Sequence, residues 1–313
     1  MPASPKLRAW LQLVRPPNLF TVPGDPLAGY FLVSGTSGCL TQSDGRALLT
    51  ALAALLLYMG GLIGNDVADL EEDRRDRPTR PIPSGQVSRS AAFAASTICA
   101  VLGLLAAFAA GLAPFAMACL TQLAIMLYNG GLKKFAIPGA LTMGACRGLS
   151  FLMGAAVAFP GCDLGISLAW LSAIGVTLYI AGVTWIADRE TVEERIGFRR
   201  WIPACALLVC FLPYFALAPF AFMLDGAIDP LIGLFLLLSF TAIRSTFLIG
   251  RRLNGIPPKN VLGASIGGLI RGLLLVQAAF AVGSGRPAGL ITAAVLLAFW
   301  PISKAVARWF YAT

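Results

Sequence analysis

The sequence predicts an all-α protein, a polytopic bundle of nine to ten transmembrane helices, and three observations predict it. Of the 313 residues, 58% are hydrophobic and 12% are charged, which is about half the charged fraction of an ordinary soluble domain. Apolar runs long enough to cross a bilayer recur along the whole chain. The basic residues are concentrated in alternate loops, which is typical of loops that stay on the cytoplasmic side.

Ten apolar runs account for most of the chain. Since the segment before the first run is polar and basic, no cleavable signal peptide is evident, and we expect the first run to remain as a membrane helix. We therefore predict one transmembrane domain over residues 1–313. The predicted spans are 17–35, 47–65, 90–111, 113–129, 136–159, 165–187, 201–223, 229–249, 262–283 and 287–306.

The net charge of +9 is explained by membrane topology. If the amino terminus is inside, 19 of the 24 lysines and arginines fall in the inner loops and tails. The positive-inside rule then places both termini in the cytoplasm and predicts a multi-pass protein of the cytoplasmic membrane. We expect membrane lipid around the chain, no nucleic-acid partner and no obligate protein partner.

Histidine and cysteine usage removes several kinds of chemistry. Histidine is absent, which excludes imidazole metal sites and histidine acid–base catalysis. Five of the seven cysteines lie in apolar runs and are interpreted as small buried apolar side chains. Cys39 and Cys162 fall on the outer side, where they could in principle pair.

A polar row follows the second apolar run. Asn65, Asp69 and Asp73 are four residues apart, so in a continuing helix they share one face. Three oxygen ligands in a row suit Mg²⁺, which shares its other positions with water and phosphate, and downstream arginines such as Arg77 suit phosphate oxygens. The alternative is a solvated loop of mixed charge. We favour a cation site, because carboxylates on one face repel each other unless a cation lies between them.

Ionisable residues also lie inside or just after apolar runs. Asp25 and Arg147 are costly in a bilayer unless they are paired or face a cavity. Asp25 is either functional, for example as a base toward an acceptor, or satisfied by a neighbouring helix or by backbone freed at nearby prolines. Lys133 and Lys134 lie on the same predicted side as the polar row, where they either contact phosphate or anchor a helix end.

A second acidic cluster follows the sixth run. Asp188 ends that run, and Arg189, Glu190 and Glu193 come directly after it. The row is poorer than the first, because Val192 occupies the position four residues after Asp188. Two acidic helix ends in the same orientation form a weak internal repeat, of a kind found in transport and transfer folds.

Together these motifs resemble the UbiA-type intramembrane prenyltransferase family. The resemblance rests on Asn65-Asp66-x-x-Asp69-x-x-x-Asp73 and Arg80-Pro81-Ile82-Pro83-Ser84-Gly85, supported by Arg15-Pro16, Lys133-Lys134 and Asp188-Arg189. It covers residues 10–285 and leaves 286–313 as an extra C-terminal helix. It implies a bundle around a central cavity that is open at the cytoplasmic side.

The resemblance also implies an activity: Mg²⁺-dependent transfer of a polyprenyl group from a polyprenyl diphosphate to a lipophilic or aromatic acceptor within the membrane. The expected catalytic residues are Asp66, Asp69, Asp73 and Asp188. The expected metal ligands are Asn65, Asp69, Asp73, Asp188 and Glu190. The expected diphosphate contacts are Arg15, Arg77, Lys133, Lys134, Arg147 and Arg189, and Asp25 is expected at the acceptor.

The chain departs from the family pattern in two ways. Val192 leaves the second metal position weaker, or shifted to Glu190 or Glu193, and ten runs exceed the nine spans typical of the family. The eroded second cluster motivates an alternative, a non-catalytic relative that binds or transports a lipid or terpenoid precursor. An ion-coupled transporter fits less well, because the acids gather at one surface instead of the bilayer midplane.

Overall fold

A computed structural model describes residues 5–35, 43–159, 163–188, 194–225 and 229–310, and all regular secondary structure in this part of the chain is helical. Cys39, Cys162, Arg189, Glu190 and Glu193 lie outside the described residues. The helices are α1 (Pro5–Val14), α2 (Pro16–Leu19), α3 (Gly24–Ser34), α4 (Asp44–Ala68), α5 (Leu70–Asp76), α6 (Arg89–Ala110), α7 (Leu112–Asn129), α8 (Ala136–Ala155), α9 (Asp163–Ala187), α10 (Ile202–Asp225), α11 (Pro230–Arg252), α12 (Lys259–Gly283) and α13 (Pro287–Phe310).

The predicted helical membrane fold is confirmed. Within the described ranges, nine helices are long and apolar enough to cross a membrane, namely α4 and α6 to α13. Each of them corresponds to one of the predicted spans after the first. Lipid-facing surfaces are apolar, as in α6, where Phe93, Ile98 and Leu105 are all exposed.

The first predicted span, 17–35, is not one helix, and this part of the prediction was wrong. Helix α2 is a single turn, residues 20–23 form a turn, and α3 follows. Proline removes a backbone donor and crowds the preceding turn, and Pro23 and Pro26 stand at the break. With 11 residues, α3 is about 16 Å long and is too short to cross a bilayer core of about 30 Å alone.

Helix α3 lies at the centre of the bundle, packed against α4, α8, α9 and α12. Small residues permit this close packing. A Cβ added at Gly154 of α8 would lie only 1.8 Å from the Pro26 carbonyl oxygen. The neighbours of the interrupted span therefore leave no room for a side chain at that position, and they hold the short helix in place.

A small apolar cluster on the polar side of the bundle holds the site elements together. Leu13 of α1, Ile63 of α4, Leu70 of α5, and Ile82 and Val87 of the following loop are all buried in it. The cluster brings the end of α1 and the proline-containing loop against the junction of α4 and α5. It thereby places Arg15 and Arg80 beside the acidic row.

Candidate active site

The acidic row keeps a nearly helical course. Helix α4 ends at Ala68, and Asp69 joins it to α5 with φ −87° and ψ 4°. The Asp69 backbone N–H donates to the Asn65 carbonyl at 2.9 Å, and the Asp73 N–H donates to the Asp69 carbonyl at 2.8 Å. Four-residue spacing is thus preserved on both sides of the junction.

Asn65 and Asp69 converge on one ammonium group. Lys133 Nζ donates to Asn65 Oδ1 at 2.9 Å and contacts Asp69 Oδ1, while Asn65 Nδ2 donates to Asp69 Oδ2 at 3.0 Å. Gly131, with φ 141°, forms the tight turn after α7 that brings Lys133 back to this point. A side chain at Gly131 would be strained, because that φ suits only glycine.

Asp66 and Asp73 face the other cations of the site. Arg80 Nη1 lies 2.7 Å from Asp73 Oδ2 and 3.7 Å from Asp66 Oδ1, and Arg15 Nη2 lies 3.5 Å from the same Asp66 oxygen. Both carboxylates are buried. Buried carboxylates need such partners, because an unpaired charge away from water is costly.

Arg15 has an unusual backbone. Its φ of 48° and ψ of 68° lie in the left-handed region, and it is the one non-glycine residue with positive φ among the described residues. For a non-glycine residue this conformation costs roughly 1–3 kcal/mol and persists only where the surroundings fix it. Its side chain reaches Asp66, so the strained residue belongs to the site.

Two of the predicted cations are exposed, and one arginine that was not selected pairs with the acids. Arg77 and Lys134 are exposed, and their predicted roles stay predictions. Arg80 was part of the quoted motif but was not selected as a site residue, and it makes the ion pairs described above. In the sequence, Arg80 could have been recognised by its position before Pro81, where the chain turns back toward the acids.

A cavity of about 110 Å³ leads inward from the acidic row. Arg15 and Asn65 line it, together with Tyr58 and Tyr128 and, further along, Arg147 and Ser150. The rest of its wall is mostly apolar: Val22, Ala54, Leu57, Leu62, Ile125 and Met143. The polar row is therefore continuous, through Asn65, with a mostly apolar cavity.

The buried pair Asp25 and Arg147 holds the break in the first span. Arg147 is 7% exposed and Asp25 is 1% exposed, and their Nε and Oδ2 atoms are 2.7 Å apart, although the N–H is not aligned for a hydrogen bond. Arg147 Nη2 and Gln277 Nε2 also donate to the Thr21 carbonyl, at 2.9 and 2.8 Å. The expectation that Arg147 pairs with an acid or faces a cavity is confirmed, since it does both.

These contacts satisfy backbone that the break exposes. A carbonyl freed from a helix inside a membrane needs a donor from the protein, and Thr21 receives two. Gln277 also donates to Asp25 Oδ1 at 2.6 Å. Asp25 is not among the residues that line the cavity, and its role toward an acceptor, like that of Arg147 toward diphosphate, stays a prediction.

Asp188 is exposed at the end of α9. The phenol of Tyr128 experiences the charges of both Asp69 and Asp188, so both acidic helix ends lie near this cavity residue. Arg189, Glu190 and Glu193 fall outside the described residues. The second metal position therefore stays a prediction.

The donor set fits Mg²⁺. Asn65 and Asp69 supply hard oxygens that already meet at one cation, the Lys133 ammonium. No group of three or more carboxylate, cysteine or histidine side chains suited to a metal occurs in the part of the chain that the structure describes. A Mg²⁺ ion held by one or two protein oxygens completes its shell with water and substrate phosphates, so the arrangement is compatible with a metal shared with a diphosphate.

Comparison with known proteins identifies the family. The model of the UbiA prenyltransferase family matches residues 27–256, which is more than half of the chain. The chain belongs to the UbiA prenyltransferase family. The resemblance inferred from the acidic row is thus confirmed, and the match includes both Asp69 and Asp188.

The chain is similar to several enzymes that share one name. Digeranylgeranylglyceryl phosphate synthase of Methanothrix thermoacetophila is 33% identical over 164 residues, which are 52% of this chain and 60% of that relative. The enzyme of the same name from Sulfurisphaera tokodaii is 26% identical over 231 residues, covering 67% of this chain and 79% of its own. The chain thus spans about 60% of the length of the first of these relatives.

Solved UbiA structures share the fold. A UbiA homologue from Aeropyrum pernix matches with a TM-score of 0.55 and 18% identity, over 92% of this chain and 98% of the other. A homologue from Archaeoglobus fulgidus bound to DMAPP and Mg²⁺ matches with a TM-score of 0.51 and 16% identity, over 94% and 99%. At these identities the likeness establishes the architecture alone.

Proposed function

We propose that this protein is a Mg²⁺-dependent prenyltransferase, which moves a polyprenyl group from a polyprenyl diphosphate to a lipophilic or aromatic acceptor within the membrane. The observation that carries the proposal is the continuity of the site. Asn65, which shares the Lys133 ammonium with Asp69, lines a mostly apolar cavity. One end suits a diphosphate and the other suits its hydrocarbon chain.

The charged residues have the chemistry needed to hold a leaving diphosphate. Asn65 and Asp69 would hold the metal, and Asp188 would face it from the second helix end. Bound Mg²⁺ supplies stabilisation of the negative charge that develops on the diphosphate. Lys133 lies beside Asp69 and Arg15 beside Asp66, and both would donate hydrogen bonds to phosphate oxygens.

The cavity wall suits the other product of bond cleavage. An allylic fragment that gains positive charge is stabilised by aromatic faces, and Tyr58 and Tyr128 line the cavity. Exclusion of water protects such a fragment from hydrolysis. The mostly apolar wall provides this exclusion of water. The reaction requires no covalent nucleophile.

The buried ion pair bears on the acceptor. Because Asp25 already neutralises Arg147, the inner part of the cavity offers no uncompensated positive charge to an anionic acceptor. Ser150 lines the same region, and its buried hydroxyl has no hydrogen-bond partner among the described residues. An acceptor with an uncharged hydrogen-bonding group, such as a phenol or alcohol, fits these surroundings better than a carboxylate.

The localisation follows from the same features. With the interrupted first span counted as a tenth crossing, the even number of spans would put both termini on one side. The basic inner loops favour the cytoplasm for that side. The acidic row and its cavity mouth would then meet prenyl diphosphates from the cytoplasmic leaflet.

A transfer assay tests the proposal. The purified protein in lipid nanodiscs receives a labelled allylic diphosphate, a set of phenolic and alcoholic lipid acceptors, and Mg²⁺. We expect pyrophosphate release together with a labelled lipid product, and no product in EDTA. Binding of the diphosphate with no product at any Mg²⁺ concentration would instead support the alternative, a relative that binds or transports a terpenoid precursor.

A further inference from the structure

The C-terminal helix α13 meets the interrupted first span at a buried polar contact. Ser303 is 1% exposed, and its hydroxyl donates to the Pro17 carbonyl at 2.8 Å. Beside it, the rings of Phe299 and Phe20 have centroids 5.3 Å apart. Much of α13 faces outward, and Trp309 is 78% exposed. A mostly lipid-facing helix thus directs a hydroxyl to one backbone oxygen of α2.

The Pro17 carbonyl needs a donor from outside its own helix. Helix α2 is a single turn, and the last carbonyls of a helix have no intrahelical partner. The next donors along the chain serve other acceptors, since both the Thr21 N–H and the Thr21 hydroxyl donate to the Asn18 carbonyl. The Ser303 hydroxyl supplies the hydrogen bond to the Pro17 carbonyl that the neighbouring residues of α2 do not.

The orientation of α2 sets the position of Arg15. The Asn18 N–H donates to the Arg15 carbonyl at 3.0 Å, so the turn of α2 is bonded directly to the left-handed residue. From that residue the guanidinium reaches Asp66 at 3.5 Å and lines the cavity. A shift of α2 would move the Arg15 side chain relative to the acidic row.

We propose that Ser303 is a positioning residue of the active site, which acts through α2 to hold the Arg15 guanidinium where a diphosphate binds. The inference rests on the proposed function. Ser303 itself touches no substrate. The family match ends at residue 256, so the role belongs to a helix outside the matched region, and α13 is part of the working site instead of an accessory span.

Binding of Mg²⁺ and inorganic pyrophosphate to the full chain in detergent, measured by calorimetry, tests this without turnover. We expect Ser303→Ala to raise the Kd about fivefold, the effect of losing one hydrogen bond. Ser239→Ala is the matched control, because Ser239 is equally buried but bonds the Phe235 carbonyl of its own helix at 2.8 Å. Its Kd should equal that of the parent.

A double-mutant cycle separates positioning from general loss of structure. In an Arg15→Ala background, Ser303→Ala should have no further effect on the Kd, because the residue through which it acts is gone. Phe299→Leu, which loosens the neighbouring ring contact, should raise the Kd in the same direction and also be silent without Arg15. Melting midpoints recorded alongside report whether each variant is folded.

The outcomes are distinct. Parent-like binding by both Ser303→Ala and Phe299→Leu would overturn the positioning role while leaving the proposed function standing. The same fivefold loss in the Arg15→Ala background would also overturn it, since the effect would then not pass through Arg15. A parent chain that binds no Mg²⁺–pyrophosphate would remove the proposed function and this inference together.

Discussion

The two acidic helix ends of this protein differ in how far their carboxylates are already engaged. At the end of α4, Asp69 meets Lys133, and Asp73 meets Arg80. At the end of α9, Asp188 is exposed, and the nearby Arg199 stacks on the Trp185 ring, 4.5 Å from its centroid. One end has its charges arranged before any ligand arrives, whereas in the described part of the other end the acid is exposed.

From this difference we infer which helix end contributes most to diphosphate binding and turnover. Charges held in place need no reorganisation when a ligand binds, and preorganised charges are the most effective in catalysis. The α4 end should therefore dominate diphosphate binding and turnover, and the α9 end should add a smaller contribution. The following predictions test that ranking, and each uses variants that separate one end from the other or one cation from its neighbour.

The largest effect is expected at Asp69. Asp69→Ala removes an oxygen from the point where Asn65 and Lys133 converge, and turnover should fall at least about 100-fold. Asp76→Ala, which removes an exposed acid from α5, should stay within about twofold of the parent. Pyrophosphate release measures both, and an Asp69→Ala variant as active as the parent would remove this residue from the site.

A smaller loss is expected at the other helix end. Asp188→Ala should lower turnover about tenfold, which corresponds to about 1.4 kcal/mol of transition-state stabilisation. The same pyrophosphate assay measures it. If the loss equals that of Asp69→Ala, the two ends contribute equally and the contrast drawn from their contacts is wrong.

The two adjacent lysines provide a sharper comparison. Lys133 bonds Asn65 and Asp69, whereas Lys134 is exposed. Lys133→Ala should raise the KM for the prenyl diphosphate about fivefold, because it removes a charge-assisted hydrogen bond that neighbouring cations replace only in part. Lys134→Ala should leave this KM unchanged. Equal effects of the two substitutions would show that only the local positive charge matters.

The smallest effect concerns stability. Arg80→Ala leaves the buried Asp73 without its 2.7 Å partner and should cost about 1 kcal/mol of unfolding free energy, a modest figure because Arg80 stays 26% exposed and partly screened. Arg77→Ala should cost less than about 0.5 kcal/mol. Melting midpoints in detergent compare them, and an equal decrease for both would contradict the pairing.

Much of the fold was predictable from the sequence, for a physical reason. Hydropathy and charge asymmetry are properties of whole spans, so nine long helices and their alternating direction across the membrane were evident from the sequence. The break in the first span was not predicted, because an average over about 20 residues does not register where Pro23 and Pro26 interrupt the hydrogen-bond ladder. The prolines were visible, but their effect depends on donors from α8, α12 and α13.

Part of the candidate site was predictable from the sequence. Asn65, Asp69 and Lys133 were selected, and the structure brings them together. Arg77 was selected and Arg80 was not, because the loop that follows determines which arginine side chain points toward the acids. Gln277 and Ser303 were not selected either, since uncharged polar residues are common in apolar runs. What distinguishes them is a distant partner, Thr21 for Gln277 and Pro17 for Ser303.

The most direct test of the central claim is the Mg²⁺ dependence of prenyl diphosphate affinity. A non-reactive thiolo analogue of geranyl diphosphate can be titrated into the parent and the Asp69→Asn variant across a range of Mg²⁺ concentrations. We predict that affinity in the parent rises at least about tenfold with Mg²⁺, and that the rise is absent in Asp69→Asn. Affinity that is independent of Mg²⁺ in the parent, or equally dependent in both proteins, would contradict the account.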